Sequence, residues 1–307
     1  MNNSLKEQAH GEIERIFRIL LPQNGLAVRE EQITLCHAML DTLLKNNIAL
    51  CDAGVGIGKT YAYLTACILL KKFAPHGPAG SQPVVVSTSS VALQDAIIGE
   101  YIPFLSRIFL ENRIIQKPIR AMVRKGKERF VWDVRLSHRL EAVKHKKKNA
   151  EQMKALLSLR TYYDLDAVTG LSGFDRRQVC VPKVCEKSCS LRNACRYHQY
   201  LKEARSAEIF VQICNHNYLL ADAAHRLQEM RPLLNDYRAL VIDEAHKLPD
   251  AARQMYGQSL SAEDFRELCD LLAKEKYILA SQRLREKFRA LMGAMCRGEL
   301  LEEAQRT

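Results

Sequence analysis

No apolar run near the start of this 307-residue chain is long enough to span a bilayer: residues 61–70, the longest, fall far short of the ~20 needed. Residues 1–18 mix Lys, Glu, His and Arg without the apolar centre of a secretion signal. A soluble, cytoplasmic protein with no membrane partner is the expectation. No internal repeat is present, which excludes a solenoid or propeller built from 20–50-residue units. Acidic residues are scarce in one region: residues 118–205 hold 21 Lys and Arg against 9 Asp and Glu, while the whole chain carries +11, so the remainder is close to neutral. The ten cysteines include no Cys-x2-Cys pair, and without an export signal they are not expected to form a disulfide framework.

At this length there is room for about two domains, and 47% apolar residues can fill their cores. A basic excess confined to one region suggests a polyanion partner, because each phosphate neutralised releases counterions. The run Lys144-His145-Lys146-Lys147-Lys148 fits this and equally fits a solvated basic surface.

Residues 47–72 organise the chain. An apolar run (Ile48, Ala49, Leu50) predicts a strand, Cys51-Asp52-Ala53-Gly54-Val55-Gly56-Ile57-Gly58-Lys59-Thr60 a glycine-rich turn, and residues 61–72 a helix. Glycines let the backbone aim several N–H groups inward, and the free N–H groups of a helix start favour anionic oxygens. Lys59 is placed for the β- and γ-phosphates of a nucleotide, and Thr60 for Mg²⁺. Ala53 stands where the usual spacing has glycine. A structural turn that happens to end in Gly-Lys-Thr is the alternative.

Elsewhere, residues 5–21 and about 31–45 read as amphipathic helices, with Arg29 and Gln32 ahead of the phosphate loop as a candidate base-contacting pair. Val84-Val85-Val86-Ser87-Thr88, residues 119–123, 209–214 and 239–242 read as strands, the first as one buried on both faces of a parallel sheet. Residues 89–100 and 138–159 read as helical, and residues 215–220 as a loop opening a helix. The strand at 239–242 delivers Asp243-Glu244-Ala245-His246 to the carboxyl edge of the sheet, where ligands gather in such folds. Asp243 would hold Mg²⁺ and Glu244 would polarise an attacking water.

Four cysteines stand apart. Cys36, Cys51, Cys67, Cys214, Cys269 and Cys296 have apolar neighbours and read as small core residues. Cys180-x4-Cys185-x3-Cys189-x5-Cys195 lies among Arg176, Arg177, Lys183, Lys187, Arg192 and Arg196, and positive surroundings favour thiolates. Zinc and an iron–sulfur cluster both accept four thiolates.

Taken in order, Arg29-Glu30-Glu31-Gln32, the glycine loop, Val86-Ser87-Thr88-Ser89 with Leu93-Gln94, Lys125-Gly126-Lys127, the cysteine group, Asn215-His216-Asn217-Tyr218-Leu219-Leu220 and Asp243-Glu244-Ala245-His246 resemble the first motor domain of a superfamily 2 DNA helicase of the DinG/XPD type. The resemblance runs from about residue 10 to about residue 255, and loops of this family often begin with Ala. It implies an α/β fold: a RecA-like P-loop parallel sheet flanked by helices, residues 1–130 and 206–255, with a basic cysteine-bearing insertion at 131–205. A helical segment, residues 256–307, corresponds to the start of an arch.

It further implies an ATP-dependent helicase moving 5′ to 3′ on single-stranded or forked DNA, with Ser87, Thr88 and Gln94 near the DNA. ATP would lie against Arg29, Gln32, Ala53, Gly54, Val55, Gly56, Ile57, Gly58, Lys59 and Thr60, with Mg²⁺ on Thr60 and Asp243. A [4Fe–4S] cluster would take Cys180, Cys185, Cys189 and Cys195. Trp132 occupies the position of the family's usual first ligand, and the family has three downstream cysteines, so the fourth is expected to replace the missing one. Zinc or no metal are the alternatives.

Past Pro249 the chain reads as helical, with Ser261 and Asp264 as a cap and Leu284, Phe288, Leu291, Met292 and Met295 as an apolar stripe. The family's second motor domain is not found in the 307 residues. The chain alone is therefore expected to bind ATP–Mg²⁺ and DNA without unwinding, either as a truncated product or with a second chain supplying the other domain. A nucleotide-gated nucleic-acid-binding module without turnover, or a metal-site nucleic-acid binder with a vestigial ATP site, are the rival readings.

Overall fold

A computed structural model describes residues 3–74, 82–144, 150–182, 191, 193–257 and 262–296. The chain forms two compact units, Met1–Met255 and Tyr256–Thr307.

Four strands make the sheet of the first unit: β1 (Val84–Thr88), β2 (Arg120–Val123), β3 (Ile209–Asn215) and β4 (Ala239–Ile242). Their order is β2-β3-β1-β4 and every pairing is parallel. β1 is buried along its whole length, as its unbroken Val-Val-Val sequence predicts for a central strand covered on both faces. Ser87 stands level with Cys214 on one side and Ile242 on the other, so three strands finish at one edge.

The helix Lys59–Phe73 lies in the main core, with every residue from Ala62 to Leu70 buried. Its apolar character all round is what such an enclosed position requires. The helices Asn3–Arg15 and Glu30–Leu44 pack against it. The first continues through a wide turn at Ile16–Leu20 that buries Ile16, Phe17 and Leu20.

The strand expected at Ile48, Ala49 and Leu50 does not form. Ile48 is 95% exposed and Leu50 94%. β4 is an edge strand, and no described residue pairs with its outer side. A strand is stabilised only when its backbone groups find a ladder, and this segment has none. Cys51 lies in the same run and is exposed, against its reading as a core residue; Cys36, Cys67, Cys214 and Cys269 are buried.

Between β2 and β3 the chain builds a separate core from Val131, Leu136, Leu140, Val143, Ala155, Leu156, Leu159, Leu165, Val168 and Val179. The helical run expected over 138–159 is two helices, Asp133–Lys144 and Ala150–Ser158; residues 145–149, the basic run, lie outside the described residues. Ion pairs hold this region. Asp166 receives Lys125, Arg129 and Arg176, Asp164 receives Lys125 at 2.7 Å, and buried Asp175 receives Arg139 at 2.7 Å.

The second unit pairs the helices Ala262–Lys274 and Ile278–Cys296 through a Phe265–Phe288 stack at 4.2 Å and a Ser281 hydroxyl that donates to the Cys269 carbonyl. Leu291 and Met292 of the expected apolar stripe are exposed, so the stripe is only partly packed. Ser261, its expected cap residue, lies outside the described residues. No described helix is long and apolar enough to cross a membrane.

Candidate nucleotide site

The glycine loop turns through Gly56 (φ +84) and Gly58 (φ +85), both left-handed, a conformation glycine adopts without steric cost. Gly58 has a second constraint. A Cβ there would lie 1.9 Å from Gln32 Nε2, so a side chain would have to displace the Gln32 amide. The helix Lys59–Phe73 starts immediately after it with no side-chain cap, leaving first-turn N–H groups available to an anion.

Arg29 and Gln32 serve the loop itself. The Arg29 guanidinium donates to the Gly56 carbonyl, and Gln32 Nε2 donates to the Gly58 carbonyl at 2.7 Å. Ala53 has a comparable use: its carbonyl accepts from Lys59 Nζ at 3.1 Å. Gly54 and Val55 extend outward, Val55 fully exposed, while Ile57 leans on the main core. Thr60 is half-buried in the first turn of the helix.

The second segment arrives from β4. Asp243 N–H donates to the Ser87 carbonyl at 2.8 Å, extending the sheet register by one residue. Glu244 then takes a left-handed conformation, φ +54, which non-glycine residues adopt only under constraint. The turn brings Glu244 Oε1 to 3.8 Å from Lys59 Nζ. Residues almost two hundred positions apart in sequence thus share one strand-end rim. Burial, then the neighbouring Glu244 charge, pushes the Asp243 carboxyl above the ordinary range, so a cation at this rim would favour its charged form.

A buried pair lies under the rim. Ser87 Oγ and His216 Nδ1 are 2.8 Å apart, with Ser87 fully buried and His216 2% exposed. Burial pushes His216 below its ordinary pKa, so the ring is neutral at pH 7. Thr88, also buried, accepts from Ser90 N–H, and Gln94 is buried in the helix that follows. Sequence reasoning grouped Ser87 and His216 with separate motifs; their pairing follows from the β1–β3 register, which local pattern does not encode.

Arg124 was also missed. It is 1% exposed, donating to Gln212 Oε1 at 3.0 Å and the Leu233 carbonyl at 2.6 Å, and among the described residues it pairs with no carboxylate. Its place just before Lys125-Gly126-Lys127 reads as a solvated basic run. The short strand β2 gives too few residues for a periodic signal.

Of the cysteine group, Cys180 and Cys195 are described; Cys185 and Cys189 lie outside the described residues. Val131 and Cys180 form an antiparallel bridge, and Trp132 N–H donates to the Val179 carbonyl at 2.8 Å. Cys195 precedes Arg196, whose guanidinium pairs with Asp133. Cys180 therefore flanks the Val131–Asp133 segment, and Cys195 is linked to it only through the Arg196 side chain. Among the described residues no three His, Cys, Asp or Glu converge on a metal position.

The fold is α/β and RecA-like: a parallel sheet flanked by helices, with a glycine loop and a carboxylate pair meeting at its carboxyl edge. No family model matches the chain. It is 28% identical over 258 residues to the ATP-dependent DNA helicase YoaA of Escherichia coli (strain K12), covering 80% of this chain and 37% of that protein. It is 25% identical over 288 residues to the 3′-5′ exonuclease DinG of Staphylococcus saprophyticus, covering 91% of this chain and 30% of that one. The equivalent protein of Staphylococcus aureus (strain USA300) is 24% identical over 287 residues, with 92% and 30% covered. These relatives support the DinG-like helicase family, and the chain spans about a third of their length.

Proposed function

We propose that the chain is the nucleotide-binding half of an ATP-driven DNA motor. The observation that carries this is the meeting of Lys59 and Glu244 at 3.8 Å on the rim that also holds the glycine loop and Asp243. Lys59 and the helix N-terminus would take the β- and γ-phosphates, Thr60 and Asp243 would ligate Mg²⁺, and Glu244 would polarise water. Mg²⁺ supplies charge neutralisation when bound. Arg29 and Gln32 hold the loop in its receptive shape. Single-stranded DNA is the partner that the helicase relatives and the basic excess support, with 5′ to 3′ movement in a full motor.

For the cysteine group we propose a [4Fe–4S] cluster on Cys180, Cys185, Cys189 and Cys195, with Cys180 standing in for the ligand that Trp132 replaces. Its bridge to Val131, one residue from Trp132, supports that substitution. The chemistry the cluster supplies is a cross-link among four thiolates. Iron and sulfide assay of anaerobically purified protein tests it: colourless, iron-free protein would end the idea.

The test of the motor reading is ATP hydrolysis with and without single-stranded DNA. Turnover stimulated by DNA and abolished by Lys59→Ala is expected; hydrolysis indifferent to both would refute it. A second reading, binding without turnover, rests on Glu244, which has Lys59 at 3.8 Å and His246 Nδ1 at 3.5 Å. A carboxylate already beside the Lys59 ammonium is a poorer base, and ATP binding without hydrolysis would favour this reading.

A further inference from the structure

His216 lies at the junction of three strand ends. Its helix, His216–Leu227, starts directly after β3, capped by the Asn215 side chain on Tyr218 N–H. Its Nδ1 pairs with Ser87 Oγ at the end of β1. Ser87 also accepts, through its carbonyl, the N–H of Asp243 beyond β4. The hydroxyl of Ser87 is the natural donor to Nδ1, which leaves the ring proton on Nε2. That Nε2 is buried and has no well-aligned hydrogen-bond partner; the backbone of Asp243 and Glu244 lies close enough to favour a proton on the ring.

A buried ring nitrogen held only loosely by the backbone of a left-handed residue leaves room for a tighter contact. Reorientation of the peptide at Glu244, whose φ is +54, would align that backbone acceptor with Nε2. We propose that His216 is a positioning residue that ties the conformation of the Asp243–Glu244 turn to the end of β1, and so passes the nucleotide state to the loop after Thr88. The inference rests on the ATP-site and DNA-binding readings above and deepens them: it names the link between the two ligands. Ser87 is the hub, since its carbonyl holds Asp243 and its hydroxyl holds the ring. The Ser87 and Asp243 backbones move together, and His216 reports the state of Glu244 to the same residue.

The test is the affinity of a fluorescent oligothymidylate for the full chain, with and without Mg²⁺ plus a non-hydrolysable ATP analogue. In the wild type the analogue changes DNA affinity by a factor on the order of 5 to 150. His216→Asn keeps an amide at the Nδ1 position for Ser87 but cannot reach the Nε2 position. The factor then collapses toward one while the analogue still binds. His216→Gln, which reaches the Nε2 position, restores part of it, a rescue that a purely structural role does not give.

An unchanged factor in His216→Asn overturns the proposal. If that variant does not fold, Ser87→Ala gives the same reading: a shrunken factor supports the link and an intact one overturns it. A wild type that binds analogue and DNA with no mutual effect sinks only this inference, whereas a wild type that binds no analogue sinks the ATP-site reading with it.

Discussion

Two regions of the first unit hold their charges in opposite ways. In the insertion, acids are used internally: Asp133, Asp164, Asp166 and Asp175 each accept from Arg or Lys, and Glu203 from Arg120. At the strand-end rim, by contrast, backbone shape does the positioning, through two left-handed glycines, an uncapped helix start and a left-handed Glu244. Among the described residues these acids of the insertion are paired, while the rim presents an uncapped helix start and the Asp243–Glu244 carboxylates. A region built for stability satisfies its polar groups, and one built for a ligand leaves some for the ligand. The basic excess of residues 118–205 thus stands beside acids of which Asp133, Asp164, Asp166, Asp175 and Glu203 are already paired with Arg or Lys of the same region.

Substitutions in the two regions should therefore separate binding from stability. Lys59→Ala should weaken Mg²⁺–nucleotide binding by about 2–5 kcal/mol, the scale for losing one partner of a buried charged contact, with little change in Tm; a titration with fluorescent nucleotide beside a melting curve checks both. Arg124→Met should do the reverse, costing about 2–4 kcal/mol of stability in urea unfolding because Gln212 Oε1 and the Leu233 carbonyl lose their donor. Should Lys59→Ala unfold the protein and Arg124→Met abolish nucleotide binding at full stability, the contrast is reversed.

Gly58→Ala falls between them. With φ +85 and a Cβ driven onto Gln32, it should cost about 1–3 kcal/mol and weaken nucleotide binding. Normal affinity at unchanged Tm would mean the loop is not held as described. The smallest effect is on acidification. Burial raises the Asp175 carboxyl, but hydrogen bonds from Ser172, Gln152 and Arg139 outweigh it and hold it below the ordinary range. A depressed carboxyl contributes stability above its unfolded pKa, which is lost as pH falls through the folded one. Stability of the insertion should thus decline below about pH 4. Tryptophan fluorescence of Trp132, the one indole in the chain, reports it, and Asp175→Asn should flatten the decline.

Much of the sheet was legible because buried parallel strands read as unbroken apolar runs: residues 84–88, 209–214 and 239–242 needed no tertiary knowledge. The run at 48–50 was misread for the same reason. Its apolar sequence is that of a strand, but strand formation depends on a neighbouring ladder, which local sequence does not state. Lys59, Thr60, Asp243 and Glu244 were legible as motifs, whereas the uses of Arg29 and Gln32 as props for loop carbonyls were not, since an Arg and a Gln at a helix start serve many purposes. Buried Arg124 and the Ser87–His216 pair escaped because each depends on register between strands distant in sequence.

The account stands or falls on one triphosphate being held from both segments through a shared cation. Nucleotide affinity measured with and without Mg²⁺, in the wild type and in Asp243→Asn, tests this most directly. A Mg²⁺ enhancement that disappears in Asp243→Asn is the expected result; the same enhancement in both proteins would contradict it.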